Sequence, residues 1–318
     1  MHSAGFYRRR RLGVEVVSVA PILLRNECLE ALVLPHIGGG LAQLNWIVGQ
    51  EPVPLLRPLN SKRLNPDPNE LACYPMIPWC NRIGAGRFEY NNKHYQIAPN
   101  RADEPYPIHG DGWLSAWTVV TQSPTAVTLQ FDKNDAGPFT YRGSLHYRLD
   151  AHTLVVTLSV ENFGHETMPF GLGLHPWFIR TPKVTVQASA AGLWEANQDL
   201  LPSTQRYLTS SGALSPLHAA PGKTIDNSFF GWDGQAVIQW PEYNLGLQIE
   251  TSPKLSHFVF YARLGQPFFC LEPVTHPINA LNLPFGYLRD GIINLAKGES
   301  CSINVRFLAI PLDGKHSN

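Results

Sequence analysis

Two segments of the chain carry side chains of complementary chemistry: LGLHPWF, Leu172 to Phe178, holds a histidine, and CLEPVTHPINALN, Cys270 to Asn282, holds a glutamate. An imidazole and a carboxylate held in one pocket can give a proton to one oxygen while taking one from another. Opening and reclosing a sugar ring requires that pair of operations. Neither segment contains a recognisable cofactor motif. A proline follows each residue directly, Pro176 after His175 and Pro273 after Glu272, and the residue before a proline is confined to extended backbone. His175 and Glu272 are therefore expected at strand ends, projecting onto one face of a sheet.

The rest of the chain supplies such sheets. TAVTLQFD from Thr125 alternates apolar and polar residues, and HTLVVTLSVEN from His152 reads as a long strand with Thr and Ser on one side. Further strands are expected at KVTVQAS from Lys183, AVIQW from Ala236, LGLQIET from Leu245, HFVFYAR from His257 and CSINVRFLAI from Cys301. GRFEYNNKHYQI, Gly86 to Ile97, reads as two strand halves around Asn91-Asn92, a pair that tolerates the left-handed backbone of a tight hairpin. Amphipathic helical windows are scarce, and 27 Pro and 26 Gly are spread along the length. Many short strands joined by turns imply an all-β chain, a large antiparallel sandwich or barrel. With no linker or clear repeat, residues 1–312 are expected to form one domain and 313–318 a disordered tail.

Composition narrows the partners. The chain carries 25 basic and 25 acidic side chains, so no global field attracts nucleic acid or an anionic membrane, and a neutral small molecule fits better. Cys28, Cys73, Cys80, Cys270 and Cys301 are odd in number and scattered, which suits a reduced, cytoplasmic protein without disulfides. Arg8 to Arg11 followed by LGVEVVSVAPILL resembles a leader at first sight, but Glu15 and Pro21 interrupt its apolar stretch. It is read as a first strand after a basic arm. No run is long enough for a transmembrane helix.

Five motifs in order, NRIGAGRF (Asn81 to Phe88), IHGDGW (Ile108 to Trp113), LHPWF (Leu174 to Phe178), IDNSFFGW (Ile225 to Trp232) and LEP (Leu271 to Pro273), resemble the aldose 1-epimerase, or galactose mutarotase-like, family. The resemblance covers nearly the whole chain. It implies a single β-supersandwich with a shallow sugar cleft on one sheet face, an aldose (hexose) substrate and no metal or nucleotide cofactor; the protein is expected to be a monomer or homodimer. Position by position, it implies that Glu272 is the general base and His175 the general acid. Arg82 and Asn81 would bind the ring oxygen or a hydroxyl, His109 would position substrate, and Asp226 would accept from a sugar hydroxyl. Trp177, beside His175, is the stacking candidate for a sugar's apolar face; Trp113 and Trp232 are weaker ones. For Arg82 a structural salt bridge is the competing reading.

In the implied reaction Glu272 takes the anomeric hydroxyl proton while His175 protonates the ring oxygen. The ring opens to an aldehyde, and C1 turns and is attacked on its other face. A positioned acid or base contributes roughly 10² to 10⁴ in rate. The chain departs from the common family pattern in three places: Val274 where Gln is frequent, Asp111 where Gly is frequent, and Trp177 where Tyr is commoner. Asp111 is read as a turn cap.

Rival readings stay open. An epimerase for a phosphorylated or other anionic sugar would need extra cations, which Arg180 and Arg263 could supply, although both read more simply as solvated surface. A glycoside hydrolase would use Asp226 and Glu272 as its two carboxylates. A non-catalytic carbohydrate sensor would share the scaffold. A metal centre built from His109, Asp111, His175 and Glu272 lacks ligand spacing, and no metal is expected. His36, His94, His146, His165 and His276 read as surface or satisfied strand positions.

Overall fold

The structure, a computed structural model, describes residues 20–63, 65–134, 137–208, 213–218, 224–283 and 291–312. The expected first strand over residues 12–24 is seen only from Ile22, and the tail after Leu312 lies outside the described residues.

Two antiparallel sheets carry the chain. The larger has 11 strands and places Cys73–Met76, Gly173–Ile179, Phe268–Val274, His257–Ala262 and Ile225–Phe230 side by side at its centre. The smaller has 9 strands, among them Ser300–Pro311, Thr153–Asn162, Tyr141–Asp150 and Ala126–Lys133. Among the described residues the helices are single 3-10 turns.

The long strands of the smaller sheet show the period-two burial that their sequences announce: Thr153–Asn162 and Ser300–Pro311 bury alternate residues, one face on the core and one toward solvent. The central strands of the larger sheet do not. Gly173–Ile179 and Phe268–Val274 are buried on both faces almost throughout. Leu174, Phe178, Phe269, Leu271, Phe258 and Phe260 join the main core. On the opposite face Tyr74, Met76, Val259 and Val274 pack with Ile108 and Trp113 in a second cluster beneath covering loops. The doubly buried strands are those that carry the site.

The covering loops are held at fixed points. The Asn81 and His109 segments run together through bridges from Arg82 to Ile108 and from Ile77 to Gly110. Gly110 has φ +72°, and a Cβ there would lie 1.9 Å from the Ile77 carbonyl oxygen, so glycine alone permits this approach. The expected hairpin forms as Arg87–Tyr90 and Lys93–Gln96, with Asn91 at φ 49° and Asn92 at φ 59°.

Candidate active site

His175 and Glu272 meet because of strand register. Gly173 pairs with Val274 and Trp177 with Cys270, and the same register carried inward sets His175 opposite Glu272. His175 Nε2 lies 3.2 Å from Glu272 Oε1. The expectation of strand ends is corrected: both residues stand inside their strands, in the middle of the sheet. Proline is unusual there because it cannot donate to the ladder. The pairing is indeed interrupted between Gly173 and Trp177, the stretch that contains Pro176 and faces Pro273.

Around this pair the aromatic rings form a column. Tyr74, opposite His175 on the other side, stacks on the imidazole at 4.6 Å, and Trp177 stacks on it at 4.9 Å. Trp113 stacks on Tyr74 at 5.0 Å, and the Arg57 guanidinium sits 4.1 Å from the Trp177 ring centre. The imidazole plane is thus fixed by sheet geometry and by two ring neighbours. His109 approaches edge-on, 5.1 Å from the His175 ring. Its Nδ1 accepts the Asn81 backbone N–H, which assigns the remaining proton to Nε2, a donor for a ligand.

A cleft of about 220 Å³ opens over the pair, lined by Asn81, Arg82, His109, Trp177, Asp226 and Tyr261 among others. This is below the roughly 300–1,000 Å³ of drug-sized pockets and suits a single small polar molecule. Asp226 reaches it from the strand Ile225–Phe230, in register with Tyr261, which is itself in register with Cys270. Arg82 arrives already engaged: Nε and Nη2 bind both Glu104 carboxylate oxygens at 2.9 and 3.0 Å. Arg101 likewise grips Asp67 and Asp103.

Burial dominates the electrostatics. It lowers His175 to about 3, with the Arg57 charge acting in the same direction. It raises Glu272 well above the carboxylate range, and Asp226 adds to the rise while Arg82 opposes it. Burial also raises Asp226 and lowers His109. The 3.2 Å His175–Glu272 contact thus joins two groups whose charged forms burial disfavours. Glu272 Oε2 and His175 Nδ1 are buried without a partner among the described residues. Such groups carry an unmet hydrogen-bonding demand that a polar ligand satisfies.

The aldose 1-epimerase family signature matches residues 21–308. The uncharacterized protein YphB of Escherichia coli K12 is 35% identical over 270 residues, spanning 82% of this chain and 90% of that one. The chain belongs to the aldose 1-epimerase family. A putative aldose 1-epimerase from Escherichia coli K12 superposes with a TM-score of 0.84 at 31% identity, covering 92% of this chain and 99% of the other. A galactose 1-epimerase from Lactobacillus acidophilus NCFM shares the fold, with a TM-score of 0.69 at 17% identity over 91% of this chain and 94% of that one. The β-sandwich expected from the sequence is the fold of this family.

Within that family frame, all seven sequence-selected site residues, Asn81, Arg82, His109, His175, Trp177, Asp226 and Glu272, line the one cleft. Several finer expectations change. Trp177 has the His175 ring stacked on it and Arg57 over it, so little of its face is left for a sugar. Asp111 makes no side-chain cap; its carboxylate pairs with Lys133 at 3.5 Å in a different cavity. Val274 is buried in the sheet between Gly173 and His257. Trp232 belongs to the main core, whereas Trp113 lies on the cleft side. Arg180 donates to the Arg263 carbonyl at the exposed surface, and neither residue lines the cleft. Sequence reasoning missed Tyr74, Arg57, Glu104, Arg101 and Tyr261. None lies in a motif segment, and only their positions in the folded sheet and loops bring them to the site.

Proposed function

We propose that this protein is a mutarotase that interconverts the α and β anomers of a neutral hexose. The observation that carries the reading is the buried His175–Glu272 contact of 3.2 Å at the floor of a polar cleft. The neutral pair and the ion pair contain the same protons and differ by one transfer across that contact. A sugar whose anomeric hydroxyl meets Glu272 and whose ring oxygen meets His175 separates the two groups and favours the charged form. Glu272 then takes the O1 proton as His175 donates to O5. The O1–H electrons form the carbonyl, and the C1–O5 pair leaves with O5. Rotation about C1–C2 presents the other face; His175 takes the proton back and Glu272 returns one to O1. The pair ends as it began, so no further reactant is consumed.

His109 Nε2–H donates to a hydroxyl, Asp226 accepts from one, and Arg82, steadied by Glu104, offers its remaining N–H groups. A neutral sugar is favoured because Arg82 and Arg101 are each already matched by carboxylates. Polarimetry of freshly dissolved α-glucose and α-galactose, with NMR exchange for slower sugars, tests the reading. Glu272→Gln and His175→Asn are each expected to lower the catalysed rate by at least about a hundredfold. Near-wild-type rates in both variants refute the assignment.

A further inference from the structure

Beside the acid/base pair the sheet carries a buried thiol. Cys270 stands two residues before Glu272 in the strand Phe268–Val274, so the two side chains project from one face. Ligand atoms of His175, Cys270 and Glu272 all lie within 4.8 Å of one another, and the three residues are buried together. They offer an imidazole nitrogen, a thiolate sulfur and a carboxylate oxygen, the donor types that zinc accepts. Bonds of about 2.0–2.3 Å in a tetrahedron set neighbouring donors roughly 3.3–3.8 Å apart. The His175–Glu272 contact is already 3.2 Å. The remaining separations need to close by about an ångström at most, within reach of a side-chain rotation. Glu272 Oε2, buried, has no partner among the described residues and is available to a ligand on the same carboxylate.

We propose that His175, Cys270 and Glu272 form a zinc site that inhibits the protein, with its fourth position open to the cleft. Charge balance supports a dication in particular. A buried carboxylate and thiolate side by side would leave two uncompensated negative charges, whereas one Zn²⁺ with these two anions and a neutral imidazole has no net charge. Loading expels the Cys270 thiol proton and the Glu272 proton to solvent, two protons out for one dication in. With the metal bound, Glu272 and His175 cannot reach O1 and O5, so zinc and sugar exclude one another. The exclusion rests on the function proposed above; the binding does not.

Equilibrium dialysis of the full chain with zinc is expected to give one tightly held ion. Cobalt in its place is expected to give a near-ultraviolet thiolate-to-metal band. Cys270→Ser is expected to abolish that band and to weaken zinc by at least about tenfold, while Cys28→Ser and Cys301→Ser retain both. Glu272→Gln is expected to weaken zinc similarly and carries the test if the serine variant melts early. Mutarotation by the wild type should fall with micromolar zinc and recover with a chelator, and zinc should lose its effect in Cys270→Ser. Failure of the wild type to bind stoichiometric zinc, or a cobalt band that survives Cys270→Ser, overturns the site; binding without inhibition overturns the inhibitory role. Metal binding as described in a protein that anomerises no aldose would leave the site standing and remove the proposed function.

Discussion

His276 makes the stability of this protein acid-sensitive through a hydrogen-bond arrangement that leaves no room for a second proton. Its ring is buried next to the cleft strands, its Nδ1 sits 2.7 Å from the Pro277 carbonyl, and its Nε2 accepts the Cys80 backbone N–H at 3.2 Å. Protonating Nε2 would turn that acceptor into a donor facing another donor, at a buried position. Burial accordingly lowers His276 to about 4 from a model-peptide value of 6.5. Between those values the unfolded chain binds one proton more than the folded one, so stability falls as pH falls. The loss begins near pH 6.5 and is complete near pH 4. Over that interval of about 2.5 pH units, at about 1.36 kcal/mol per unit, it reaches about 3 kcal/mol for this residue. His276→Gln keeps an acceptor and a donor but cannot titrate. Urea unfolding at several pH values from 4.5 to 6 should therefore show a stability slope about 1.4 kcal/mol per pH unit shallower in the variant than in the wild type. Parallel slopes would refute the reasoning, whatever the absolute stabilities.

Four other outcomes follow from the same geometry. His257, lowered to about 4 by burial and the nearby His276, is expected to add a slope of the same sign, so His257→Gln combined with His276→Gln should flatten the acid limb further in the same urea series. Gly110→Ala must place a Cβ 1.9 Å from the Ile77 carbonyl at a positive φ; a loss of more than about 2 kcal/mol by chemical denaturation is expected, and an unchanged midpoint would deny the close approach. Tyr74→Leu removes the ring stacked on His175 at 4.6 Å; kcat is expected to fall severalfold more than KM changes, and a pure KM effect would show that the ring binds substrate instead of orienting the imidazole. Glu104→Gln frees Arg82 from its carboxylate; competition by a hexose phosphate should strengthen by about tenfold relative to a neutral hexose, whereas an equal change in both would contradict the neutralising role.

The long alternating strands were legible in the chain because one face of each meets solvent, and the polar residues on that face mark the period. The strands Gly173–Ile179 and Phe268–Val274 gave no such signal, since both of their faces are covered. Their prolines signalled extended backbone correctly but suggested strand ends, because a central strand ordinarily cannot lose ladder donors. The motif residues gather around one cleft. Tyr74 and Glu104 stayed hidden because a tyrosine in an apolar run and an acid in a polar loop look like many others.

By itself, then, the sequence determined that the chain is built of antiparallel strands, that it belongs with the aldose 1-epimerases, and which seven side chains to watch. Those facts reside in local periodicity and in short motifs, each readable within a few residues. Only the tertiary structure decided that His175 faces Glu272 across a ladder interrupted by proline, that Tyr74 and Trp177 clamp the imidazole, that Arg82 is spoken for by Glu104, and that Cys270 stands beside the pair. The physical reason is that charge state, ring orientation and ligand sets depend on burial and on neighbours across a sheet, and register brings together residues that are remote along the chain.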